Sequence, residues 1–335
     1  MKRVRAMGRN GSPCSYDASV KMPAVTAYVE LTRWRDWAHS KLPFAGAAAL
    51  LFGVSPLHTL LVLATVALWA AFGYGVNQVA DVLPDARAGK RNGADALSSG
   101  ARLAFVGGTA AAALGSSVLW ARGPAAPGLL GAGLVLALAY SARPVRLKER
   151  GVAGVASAAI AQWTLPVVAI ATAAPNGLDA RAALIAALSA ALGVRWMLIH
   201  QLHDAAADRR AGVQTFATEN RSAPRLLDGV FAVELAAVIG LLAVSWPAST
   251  APAAALAAWI CVGEVAQPLR ARLRAYDAAP LAAYYFALLP LAAGVGRGTA
   301  GAVALGGVIA LLGSPALVGS LRAVIARPRA AAARA

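Results

Sequence analysis

Residues 57–76 read LHTLLVLATVALWAAFGYGV, and residues 77–92 continue NQVADVLPDARAGKRN. Twenty residues without Asp, Glu, Lys or Arg suffice to cross a bilayer as one helix. Asp81 and Asp85 then stand where that helix reaches the aqueous surface. The rest of the chain has the same character. Of 335 residues, 59% are hydrophobic and only 14% charged, and the mean hydropathy is +0.61. A soluble domain of this size cannot hide so much apolar surface, which points to an integral membrane protein. In such a chain the formal charge of +16 reports orientation rather than nucleic-acid binding, and no nucleic-acid partner is expected. Cys14 and Cys261 lie far apart and form no metal or disulfide pattern.

Further apolar stretches lie at 42–55 (extended by residues before it), 100–120, 125–141, 152–174, 180–199, 226–246, 250–267, 280–296 and 299–320. Together they predict an all-α, polytopic transmembrane bundle of nine or ten spans. Charge placement tests this map. With the N-terminus inside, 27 of the 31 Lys and Arg residues fall on the cytoplasmic side. Only Arg122, Arg181 and Arg297 fall on the other, and Arg195 lies within a span. That bias favours an even number of spans, hence ten, with both termini and the active site facing the cytoplasm of a bacterial inner membrane. Residues 1–27 carry Lys2, Arg3, Arg5, Arg9 and Lys21 without an apolar core. They read as a disordered basic tail rather than a cleaved signal. Residues 28–321 form the transmembrane domain, and 322–335 a second basic tail.

The Asp-bearing stretch recurs. Residues 200–215 read HQLHDAAADRRAGVQT, so Gln78/Gln201, Asp81/Asp204, Asp85/Asp208, Arg87/Arg210, Ala88/Ala211 and Gly89/Gly212 are identical at an offset of 123. Pro144, Arg146, Lys148 and Arg150 match Pro268, Arg270, Arg272 and Arg274 at an offset of 124. Four spans separate the copies, which makes the repeat parallel. Residues four apart share one helix face, so Asn77, Asp81 and Asp85 form one stripe, and His200, Asp204 and Asp208 another. Hard oxygen ligands of this kind suit Mg²⁺ shared with substrate phosphates. Pro84 interrupts the first stripe and is expected to leave Asp85 just beyond the regular helix. The loop YSARPVRLKERG, residues 140–151, alternates Arg146, Lys148 and Arg150, which could meet phosphate oxygens directly but which a basic cytoplasmic loop would also show. Lys90 and Arg91 share that ambiguity.

Taken together, these residues resemble the UbiA superfamily of intramembrane prenyltransferases. Asn77, Asp81 and Asp85 match its first motif, Asn-Asp-x-x-Asp-x-x-x-Asp, with Gln78 in place of the second residue; Asp204 and Asp208 match its Asp-x-x-x-Asp. The loop 140–151 is similar to Tyr-Ser-x-x-Pro-x-Arg-Leu-Lys-x-Arg-Gly, and Arg33-Trp34-Arg35-Asp36-Trp37 to the family's entry to the first span. The likeness covers about residues 28–296, and ten spans would exceed the family's usual nine. It implies that an isoprenyl diphosphate donor ionises, that the prenyl group joins an aromatic or other lipophilic acceptor, and that pyrophosphate leaves. Asp81, Asp85, Asp204 and Asp208 would hold Mg²⁺, with Asn77 assisting. Arg146 and Lys148, with Tyr140, Lys90 and His200, would contact the diphosphate. Apolar side chains would house the isoprenoid tail.

Other readings stay open at this level. A terpene cyclase or a phosphoribosyl-type transferase would use the same scaffold. A secondary transporter would also show a repeat, but with its acids near mid-membrane. His200 could touch the diphosphate, act on the acceptor, or merely bond locally; His203 points elsewhere on its helix. Arg195, nine residues before Asp204, lies half a turn away from it and pairs with Glu234 or Glu264 in this reading. Gln162, Trp163, Tyr284 and Tyr285 either line an acceptor pocket or pack.

Overall fold

The computed structural model describes residues 6–7, 13–14, 23–87, 92–175, 177–211 and 214–245. The predicted spans 250–267, 280–296 and 299–320, together with Lys90, Arg91, Glu264, Tyr284, Tyr285 and the C-terminal tail, lie outside the described residues, and so does the choice between nine and ten spans. A two-residue antiparallel ladder pairs Ala6–Met7 with Pro13–Cys14. Otherwise the described chain is helical. Its elements are α1 (Ala24–Thr32), α2 (Trp34–Leu51), α3 (Pro56–Ala80), α4 (Val82–Arg87), α5 (Ser99–Val118), α6 (Ala125–Ser141), α7 (Gly151–Ala159), α8 (Leu165–Thr172), α9 (Ala180–Ala211), α10 (Phe216–Glu219) and α11 (Ala223–Ser245). The first four residues of α1 fall inside the segment assigned to the basic tail.

Each described span falls on a helix. Pro56–Ala80, Ser99–Val118, Gly151–Thr172 and Ala180–Ala206 are long and apolar enough to cross a membrane, and Ala125–Ser141 is a shorter apolar helix. Helix ends follow local chemistry. The α2 helix closes in a Schellman turn, in which Val54 N–H reaches the Ala49 carbonyl at 2.9 Å and Gly53 N–H reaches Leu50 at 3.0 Å. Gly53 has a φ of +73°, a value that suits glycine best. Ser55 then caps α3, with Pro56 in the first turn, where its missing N–H costs nothing.

One apolar core runs through α2, α3, α6, α8, α9 and α11, with Leu50, Val62, Leu130, Ile170, Leu188, Leu192 and Leu241 almost fully enclosed. Hydrocarbon chains are as apolar as leucine, so close fit rather than water exclusion holds such helices together. At Gly193, a Cβ would stand 2.7 Å from the Ala159 Cα. Any larger residue would push α9 off α7. By contrast, only 11% of the apolar window of α5 is buried, as befits a helix facing lipid.

Pro166 shapes the fifth span. Having no N–H, it cannot bond the Gln162 carbonyl four residues back. The helix widens there into a π-turn over Ile160–Thr164. Between α9 and α11, Arg195 Nε donates to Glu234 Oε1 at 2.8 Å, with both side chains 2% exposed. Of the two carboxylates considered for Arg195, Glu234 bonds it, and Glu264 lies outside the described residues. The Arg195 guanidinium also lies over the Phe231 ring.

Candidate active site

At the C-terminal end of α3 the first Asp stripe is split. The helix stops at Ala80, Asp81 is its capping residue, and a new helical segment begins at Val82. The break falls where Pro84 requires it: its ring would strike the Ala80 carbonyl, and it brings no N–H to that oxygen. Asp85 therefore sits on the short helix α4, beyond the end of α3. It stays in line because its N–H bonds the Asp81 carbonyl at 2.8 Å.

The loop between α6 and α7 folds back over this end. Arg146 Nη2 donates to Asp81 Oδ1 at 3.1 Å, and Lys148 Nζ to Asp81 Oδ2 at 2.5 Å. Lys148 also reaches Asn77 Oδ1 at 3.0 Å, which accepts from Ser141 Oγ at 3.1 Å as well. Arg146 takes a left-handed backbone, φ +42°, a costly conformation for a non-glycine residue that clusters at functional sites. Its Nη1 is tied to the Ser141 carbonyl and its Nε to Glu149. Arg150 instead turns back onto the Pro144 carbonyl at 3.3 Å, away from the Asp81 carboxylate. Burial works against the charge of Arg146, but hydrogen bonds and charges from Glu149 and Asp81 outweigh it and raise its pKa. For Lys148, burial dominates and lowers the ammonium pKa despite the pull of Asp81.

The second stripe lies on α9. His200 Nε2 is 3.8 Å from Asp204 Oδ2, and His203 Nδ1 is 3.2 Å from Asp204 Oδ1. His203 thus sits against Asp204 instead of pointing elsewhere, because neighbouring side chains at a helix end can wrap towards one carboxylate. Asp208 is half-buried one turn further on. The two stripes share one end of the bundle. Arg33 is a charged neighbour of Tyr74 on α3 and also of His200 on α9. It occupies the elbow between α1 and α2 with φ +48°, its Nε held by Asp36 at 2.6 Å. Trp37 fixes that elbow by donating to the Thr32 carbonyl at 2.7 Å and stacking on Tyr74 at 6.4 Å. Tyr140 lies near Tyr74 and Asp81.

Asn92 belongs to this site although its role was not read from the sequence. Its Nδ2 donates to Asp85 Oδ2 at 2.9 Å and to the Gln78 carbonyl at 2.8 Å. The Gln78 side chain accepts from Gly93 N–H at 3.1 Å, and its repeat partner Gln201 accepts from Ala217 N–H at 3.3 Å. The paired glutamines do one job: each is buried and pins the loop that follows its Asp stripe. Repetition of glutamine with its flanks was the signal, and it marks a structural tie rather than a ligand.

Asn77, Asp81, Asp85, Asp204 and Asp208 offer hard oxygens, the donor type Mg²⁺ prefers. Among the described residues, no three His, Cys, Asp or Glu side chains gather into a ready-made metal group, and Asp81 is neutralised by Arg146 and Lys148 instead. By donor type the set fits the ion.

Comparison with known proteins agrees with this architecture. No curated protein matches the sequence. A digeranylgeranylglyceryl phosphate synthase structure superimposes with a TM-score of 0.62 at 12% identity, over 82% of this chain and 100% of that one. A UbiA homologue from Archaeoglobus fulgidus bound to DMAPP and Mg²⁺ gives 0.59 at 16% identity, over 87% and 99%. The apo UbiA homologue of Aeropyrum pernix K1 gives 0.57 at 20%, over 80% and 98%. At these identities the likeness is one of fold. The family model of the UbiA prenyltransferases matches residues 42–289, and the chain belongs to that family.

Proposed function

We propose that this membrane prenyltransferase is Mg²⁺-dependent and moves an isoprenyl group from an allylic diphosphate to a lipophilic, aromatic acceptor. The observation that carries the reading is the Arg146–Asp81–Lys148 cluster, at the same end of the bundle as Asp204 and Asp208. Cations poised on a carboxylate can exchange it for phosphate oxygens of equal or greater charge. Arg146 and Lys148, with Lys90, Tyr140 and His200, would then hold the diphosphate. Asn77, Asp81, Asp85, Asp204 and Asp208 would hold the metal, which supplies positive charge against the leaving pyrophosphate.

In the reaction the C1–O bond of the donor breaks, and its electron pair leaves with pyrophosphate. The acceptor forms the new bond to C1 and loses a proton to solvent. Charge growing on the leaving group meets preorganised donors, the main lever when an allylic cation must form. The apolar interior would house the isoprenoid tail and keep water from that cation. The UbiA homologue from Archaeoglobus fulgidus, bound to DMAPP and Mg²⁺ or to GPP and Mg²⁺, supports a donor of this class. The inside bias of Lys and Arg supports a cytoplasmic active site on a bacterial inner membrane.

The test is to incubate the purified chain with geranyl, farnesyl and geranylgeranyl diphosphates and a panel of acceptors, then identify products by mass. A prenylated acceptor that forms only with Mg²⁺ supports the proposal. A cyclised product formed without any acceptor would replace it with the cyclase reading.

A further inference from the structure

Lys41 lies inside the bundle, 6% exposed. Its ammonium donates to the Gln162 carbonyl at 3.2 Å and stands 4.3 Å from the centroid of the Trp163 ring. Those are its only partners among the described residues, and neither is a carboxylate. A charged group at such a place in a membrane protein is costly and marks function by default. Arg195, another enclosed cation among the described residues, has Glu234; among those residues Lys41 meets no anion.

Its surroundings are built rather than accidental. Pro166 brings no N–H to the Gln162 carbonyl, and the π-turn Ile160–Thr164 carries both Gln162 and the buried Trp163. Such single π-turns recur at functional sites. Trp163 meets Phe44 edge-on at 5.9 Å and Trp196 at 6.1 Å, so the ammonium is bordered by flat apolar rings. A neutral donor would satisfy the carbonyl equally well. An enclosed lysine that meets no carboxylate among the described residues suits an anion that arrives.

Depth separates this place from the diphosphate. Lys41 is one turn beyond Trp37 on the same face of α2, and Trp37 stacks on Tyr74. At 1.5 Å per residue, Lys41 then lies about 16 Å below the Asp81 level. A ligand between the two levels has its reacting atom towards the diphosphate and its far end at Lys41.

We propose that Lys41, backed by the Gln162 carbonyl and the rings of Phe44, Trp163 and Trp196, is the specificity-determining residue that receives an anionic oxygen on the planar body of the acceptor. The inference rests on the prenyl-transfer reading but is tested by binding alone. The full chain in lipid nanodiscs is titrated by thermal shift with 2-naphthoate, its methyl ester and inorganic pyrophosphate, with no prenyl donor. Wild type should bind 2-naphthoate at least about tenfold more tightly than the ester. Lys41→Gln, which keeps a donor for the carbonyl but no charge, should lose that discrimination, and Lys41→Arg should retain it. Pyrophosphate should not displace the naphthoate.

Equal binding of acid and ester by wild type overturns the proposal, as does discrimination surviving in Lys41→Gln. Displacement by pyrophosphate would assign Lys41 to the donor and overturn it too. Should Lys41→Gln not fold, an acid-over-ester preference retained by Lys41→Arg, with the donor KM unmoved, decides in favour; loss of that preference or a shifted donor KM decides against. Failure of the transfer reading looks different: naphthoate still binds, yet no allylic diphosphate is turned over.

Discussion

Replacing Glu234 by Leu leaves Arg195 charged, enclosed between α9 and α11 and robbed of its carboxylate. The pair is bonded at 2.8 Å with both side chains 2% exposed, so water cannot take over the lost interaction. Breaking one side of a buried ion pair costs about 3–5 kcal/mol, mostly for the stranded charge. Replacing both partners by apolar residues of similar volume is near neutral or stabilising. The expected order is therefore that Glu234→Leu and Arg195→Met each destabilise strongly, while the double variant is more stable than either. Reversible unfolding in mixed detergent micelles measures this. The functional consequence follows from geometry: Arg195 lies five residues before His200 on the same helix, so loosening α9 from α11 also misplaces Asp204 and Asp208. Donor turnover should fall in the single variants and recover in the double. If the two single losses simply add in the double variant, the pair is not the coupled unit described.

Asn92→Ala removes the donor shared by Asp85 and the Gln78 carbonyl; losses of such supporting bonds cost about 10–100-fold in metal affinity or activity, so the Mg²⁺ giving half-maximal turnover should rise. Gln78→Leu and Gln201→Leu each strand a buried backbone N–H, worth about 1–3 kcal/mol, and should lower stability similarly in an unfolding titration. Lys148→Met should raise the KM for the donor diphosphate, measured by pyrophosphate release, because the Asp81 carboxylate loses one of its two cations and the diphosphate loses a contact. Single cysteines at Arg122 and Arg150 in a cysteine-free background should react with a membrane-impermeant maleimide from opposite sides of oriented vesicles.

The helical bundle was legible because span length and charge bias are set by the bilayer, not by tertiary detail. The Asp stripes and the loop 140–151 stood out as acidic and basic residues at regular spacings, and the structure brings Asp81 against Arg146 and Lys148. The split at Asp81 was half visible: Pro84 announced a break, but only the Ala80 carbonyl four residues back shows where it falls. Other features depend on contacts between distant segments, which one sequence does not display. Among them are the Arg146 and Lys148 grip on Asp81, the reach of Asn92 to Asp85, and the placement of Lys41 against the Gln162 carbonyl over a hundred residues away. Arg195 was an intermediate case, since a charge inside a span needs a partner and only two enclosed carboxylates were candidates.

The central claim is that two Asp stripes act together on one metal-bound diphosphate. Pyrophosphate release by purified protein in nanodiscs, measured with and without Mg²⁺ for wild type, Asp81→Ala and Asp204→Ala, tests it most directly. The account predicts release by wild type only with Mg²⁺ and its abolition in each variant; Mg²⁺-dependent release retained by both variants would contradict it.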